Sequence, residues 1–127
     1  MVLDCLQEWI AMTQRAVNTS KNTVVATHVE NANNPITRFF GLMGKPPLPE
    51  GQGLLITPCS DIHSCWMRFE FDAIFIDKNG TVVDLIERMK PWRLKFAKGA
   101  RSVLELNGGV IAASQTQVGD VLVFEEN

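Results

Sequence analysis

The sequence predicts a mainly β fold: a jelly-roll-like sandwich or closed barrel with a few short helices. Six or more short runs rich in β-branched and apolar residues are separated by Gly, Pro and Asn clusters. One pair of runs, Ala73–Asp77 and Thr81–Ile86, flanks Lys78-Asn79-Gly80, the signature of a β-hairpin. Helical spacing is confined to a few short stretches.

At the N-terminus Leu3, Leu6, Trp9 and Ile10 fall near helical spacing and Met12 breaks it. Residues 1–14 therefore read as an extension, a short helix or irregular, and residues 15–127 as one β domain. Asn18–Asn22 is a turn cluster before Thr23–Val29, whose β-branched content marks a strand. Asn34 is an N-cap and Pro35 a first helical residue for an amphipathic helix loaded with Phe39, Phe40, Leu42 and Met43. Lys45–Pro49 is a proline-rich loop, and Gly53–Thr57 begins a strand.

In the central hairpin two turns compete. Asn79-Gly80 can form a two-residue loop. Asp77 can instead start a type I turn with Gly80 as a left-handed bulge, which is preferred because Asp caps its own backbone there. Met89–Ala100 reads as a basic, irregular crossing. Ser102–Leu106 is a strand, Val110–Ser114 a short helical turn, and Val118–Asp120 a turn into a last strand, Val121–Glu125.

The chain has 127 residues, enough for one useful core, with 46% apolar and 20% charged residues. Its net charge of −2 and pI near 5.6 give no chain-wide electrostatic case for nucleic acid or membrane. No apolar run approaches the roughly 18 residues that span a bilayer. The N-terminus lacks a basic start and an apolar stretch, and the three cysteines, Cys5, Cys59 and Cys65, cannot all pair within one chain. Reduced thiols in the cytoplasm are the expectation.

Seven ordered blocks carry a family resemblance. They are Phe40–Met43, Gly53–Ile56, Pro58–His63, Trp66–Phe69, Asp72–Asp77 with Gly80, Pro91-Trp92 and Val103–Leu106, closed by Gly108-Gly109 and Val118–Asp120. From about Arg15 onward the chain resembles the bacterial and archaeal domain of unknown function 192. That resemblance implies a β-sandwich or barrel-like domain of jelly-roll type and no established activity. Many members carry export leaders, and the absence of that pattern here argues against an exported location as the expectation. Glu70 stands where members usually place proline.

The densest chemistry lies in Cys59–Asp72. Alternation from His63 predicts His63, Cys65, Met67 and Phe69 on one strand face, with Ser64, Trp66 and Arg68 on the other. His63 with Cys59 could form a soft metal site, but the spacing fits no zinc pattern, and Met and Cys serve equally as core fillers. A thiol nucleophile at Cys59 or Cys65 lacks an oxyanion donor and an orienting third group. Arg68 and Asp72 could brace the corner as a buried ion pair or face a ligand, and Asp72 could cap a turn.

Arg88, Lys90, Arg93, Lys95, Lys98 and Arg101 are six of the twelve basic residues, with no acid among them and Trp92 and Phe96 interleaved. They could bind an anion or nucleic acid, or lie as a solvated loop over apolar surface. The preferred reading is a non-catalytic binding module for a small molecule or protein, through His63, Trp66, Arg68, Asp72 and Arg93. A metal-dependent enzyme or metal handler at His63 and Cys59 is one alternative, and anion binding through 88–101 the other. No cofactor or metal ligand is assigned, no membrane partner is expected, and nucleic acid is disfavoured.

Overall fold

Alternating apolar residues build the strands in the computed structural model, which describes residues 14–32 and 47–127. Among the described residues, nine strands and one short helix follow in order: β1 (Gln14–Asn18), β2 (Thr23–Ala32), β3 (Gln52–Ile56), β4 (Asp61–His63), β5 (Phe71–Ile76), β6 (Val82–Met89), β7 (Leu94–Phe96), β8 (Ser102–Asn107), α1 (Val110–Ser114) and β9 (Leu122–Glu126). The N-terminal segment and the helix expected after Asn34 lie outside the described residues. Residues 89–100, expected to be irregular, contain β7, a three-residue strand too short to show as a pattern.

Seven strands form one sheet in the order β6-β5-β8-β3-β2-β1-β9, while β4 and β7 form a separate ribbon. Only β2 and β3 pair in parallel, and the other neighbours are antiparallel. The sheet curls into a half-barrel until its two edges touch, with Thr81 bridging Val121. The architecture is mainly β and of the barrel-like or sandwich class, as expected.

The β5–β6 turn makes this closure possible. Asp77 leads it: its carboxylate accepts from Asn79 and Thr81 N–H at 2.8 and 2.9 Å, and Gly80 N–H donates to the Asp77 carbonyl. This is the Asp-led turn preferred from sequence. Gly80 has a φ of +84°, and any Cβ there would sit 2.5 Å from the Leu122 carbonyl oxygen. Glycine is required twice, for the left-handed backbone and for the approach of β9.

The central strands are covered on both faces, so they read as continuous apolar runs. All six residues of β5 are buried. Ala73, Phe75 and Val103 pack with Ile56, Ile62, Met67 and Ala97, which are supplied partly by the ribbon. Ile74, Ile76, Leu104 and Leu106 pack with Ala16, Val29, Ile111 and Leu122 on the opposite face. The ribbon and α1 thus cap the two sides of one sheet.

A buried polar knot fastens β1 to the loop before β9. The Asn18 amide donates to Thr116 Oγ1 at 3.1 Å and to the Asp120 carboxylate at 3.0 Å, while Lys21 Nζ lies 2.8 Å from the same carboxylate. Gln117 N–H adds a further bond to Asp120. These donors, Asn18 and then Lys21, hold the Asp120 carboxyl down to about 2 from an ordinary 3.8, against the opposing effect of burial. Because the folded value lies below the unfolded one, this stabilisation is complete above the unfolded pKa and is lost as pH falls from there toward about 2. Denaturation titrations of Asp120→Asn should show lower stability than the parent at neutral pH and a shallower loss over that acid window.

Candidate functional site

Strand β4 ends at His63 because the chain turns at Cys65 and Trp66 rather than continuing the alternation expected through Phe69. Met67 therefore points into the core and Trp66 outward. The ribbon register places Asp61 opposite Phe96, Ile62 opposite Lys95, and His63 opposite Leu94. Ile62 faces the core, and Lys95 on the same side pairs with Asp84 at 2.9 Å. Leu94 and Phe96 consequently face outward, 81% and 65% exposed.

Ser64 is the rivet of this surface. Its N–H donates to the Arg93 carbonyl at 2.9 Å, and its hydroxyl accepts from Arg93 N–H at 2.8 Å while donating to the Lys90 carbonyl. Its own carbonyl accepts from Trp92 N–H at 3.0 Å and Met67 N–H at 3.2 Å. Both flanking tryptophans take left-handed backbones, with φ of 67° for Trp66 and 64° for Trp92. Side chains rarely adopt this conformation, which costs roughly 1–2 kcal/mol per residue. The two indoles meet edge to face with centroids 4.8 Å apart, and they remain 65% and 56% exposed.

The structure thus brings His63, Trp66 and Arg93 onto one ribbon and leaves Arg68 exposed just beyond Met67. His63 Nδ1 accepts from Cys65 N–H at 3.2 Å. Cys59 packs against the core, and its thiol donates to the Asp61 carbonyl at 2.8 Å. Among the described residues, no group of three or more His, Cys, Asp and Glu side chains gathers in metal-binding reach.

Asp72 lies apart, fully buried. One carboxylate oxygen accepts from Arg88 N–H at 2.8 Å, and the other accepts from Gly109 at 3.1 Å and Ile111 at 2.8 Å. It does not pair with Arg68. It serves the capping role, fixing the end of β6 and the start of α1 together. On the far side of the sheet, a groove of about 670 Å³ runs between β6 and α1, lined by Leu85, Glu87, Ile111, Gln115, Thr116 and Val118. Nothing in the sequence marked that groove, because its walls meet only through tertiary packing.

The fold and this surface define a small, mainly β half-barrel domain with a ribbon laid across one face. The chain belongs to the DUF192 family, described as uncharacterized ACR, whose model matches residues 16–124. It is 34% identical over 112 residues to a UPF0127 protein of Pyrococcus furiosus, covering 84% of this chain and 94% of that one. It is 35% identical over 111 residues to one from Pyrococcus abyssi, covering 82% and 92%.

Two crystal structures share the fold. A Sinorhizobium meliloti 1021 protein described as a candidate transcription regulator matches with a TM-score of 0.77 at 24% identity, over 88% of this chain and 92% of its own. A protein of unknown function from Novosphingobium aromaticivorans matches with a TM-score of 0.75 at 23% identity, over 87% and 83%. Among the described residues, no helix is long and apolar enough to cross a membrane.

Two substitutions check these assignments. Asp72→Ala should cost about 3 kcal/mol or more in urea unfolding, since three backbone donors lose their acceptor. Asp72→Asn should rescue little, because an amide nitrogen in place of one oxygen would face N–H donors. Ser64→Ala should cost about 1–3 kcal/mol and weaken the near-ultraviolet circular dichroism of the Trp66–Trp92 pair, as residues 90–93 come loose from the turn.

Proposed function

We propose that this protein is a non-catalytic binding module whose recognition surface is the outer face of the β4–β7 ribbon. The observation that carries the reading is the Trp66–Trp92 pair, held exposed by Ser64 on strained backbones, with Leu94 and Phe96 beside it. Contiguous exposed apolar side chains of this size mark interaction sites, and Trp and Arg dominate the energetics of such sites. Fixing the indoles before contact lowers the ordering cost of binding. Arg93 and Arg68 supply charge at the rim, and His63 lies across from Leu94. Asp72 contributes from inside, by fixing the backbone that leads to the ribbon.

The test is a thermal-shift panel of sugars and peptides against the parent and Trp92→Ala. At least one ligand should raise the melting temperature of the parent and lose that effect in the variant, whose unliganded melting temperature stays near the parent's. A ligand that stabilises both proteins equally would place its site elsewhere, and that outcome counts against the ribbon.

A further inference from the structure

We infer that the ribbon face docks peripherally on an anionic lipid bilayer. This rests on the reading of the ribbon as the binding surface and names what it binds. Leu94, the most exposed large apolar side chain among the described residues, has no π-face to stack on a base or sugar. Burial in an apolar medium is what it gains from, and Phe96, two residues on, shares its outward side. Trp66 and Trp92 meet edge to face, so part of one ring face is already covered. That geometry suits indoles seated at a membrane–water boundary better than a ladder of stacked bases.

Charge argues in the same direction. Arg68, Lys90, Arg93 and Lys98 are exposed on or beside the ribbon, whereas Lys95 is turned inward to Asp84. The exposed acids nearby are Asp61, across from Phe96, and Glu70. Of the six cations in residues 88–101, Lys95 pairs with Asp84 and Arg88 lies against Gly108 and Gly109, while the rest of the chain sets six cations against fourteen acids, a charge of −8. The overall charge of −2 hides this polarity. A negative surface would attract the ribbon end and repel the remainder, which orients the domain with its apolar residues toward the lipid. A second copy fits less well, because the cationic rim would meet itself.

The experiment uses the full chain carrying Trp9→Phe, so that Trp66 and Trp92 report by fluorescence. It is mixed with vesicles of phosphatidylcholine alone, or of phosphatidylcholine with phosphatidylserine. The expected result is co-sedimentation and a blue shift of indole emission with the mixed vesicles, both weakening as salt rises. Lys90→Glu with Arg93→Glu should lower partitioning on the order of tenfold or more. Leu94→Ser with Phe96→Ser should abolish the blue shift while leaving the thermal melt in place, since both side chains lie outside the core.

Failure to bind the mixed vesicles overturns the inference. So does equal binding to both lipids that ignores salt and charge reversal. Quenching by a single-stranded oligothymidylate without lipid binding also overturns it, in favour of nucleic acid. If vesicles fail while a panel ligand still depends on Trp92, the bilayer falls and the binding surface stands. If both fail, both readings fall.

Discussion

Asp72 sits without solvent on β5 and spends both carboxylate oxygens on backbone donors from two other elements, Arg88 at the end of β6 and Gly109 and Ile111 at the start of α1. Much else follows from that arrangement. The Arg88 N–H is held where the β5–β6 register slips between Phe71 and Ala73, and Arg88 takes a left-handed backbone there. Met89 still pairs with Phe71 past the slip, and the chain then leaves the sheet and heads for the ribbon. The same carboxylate starts α1, whose Ile111 plugs one face of the sheet. A polar group buried this deeply is tolerable only because each oxygen is hydrogen-bonded.

Closure of the half-barrel depends on a second set of contacts at the opposite end of β5. Gly80 admits the Leu122 carbonyl, Leu122 N–H donates to the Gly80 carbonyl at 2.9 Å, and Val82 N–H donates to the Asp120 carbonyl at 2.8 Å. Asp120 itself is fixed by Asn18 and Lys21 from the β1–β2 corner. The outermost strands are therefore pinned through short polar links rather than through a long ladder. Edges that meet in this way are shielded from pairing with other chains.

The ribbon combines stability and cost in one place. Ile62, Met67 and Ala97 bury against the sheet and anchor it. Its outer side does the reverse: two tryptophans in unfavourable backbone conformations, and Leu94 and Phe96 in water. Hydrogen bonds to Ser64 offset the strain, but among the described residues nothing covers the exposed side chains. Strain and exposure thus gather on one small surface, the outer side of the ribbon, and not in the core.

The sequence by itself determined the mainly β class, the Asp77-led hairpin, the strands at Gly53, Ser102 and Val121, and the helical turn at Val110, because these depend on local alternation and turn chemistry. It also flagged the Cys59–Asp72 stretch and the basic run 88–101, but as two separate features. Only the tertiary structure joined them, since the β4–β7 pairing links residues more than thirty positions apart through three-residue strands too short to leave a pattern. The side on which Trp66 falls was likewise undecidable locally: a strand continued past His63 and a turn at Cys65 place it on opposite faces, and Ser64's bonds to Lys90 and Arg93 select the turn. Asp72 could cap a turn or face a ligand until folding brought Gly109 and Ile111 to it, because hydrogen-bond partners 37 and 39 residues away are set by packing and not by sequence neighbours.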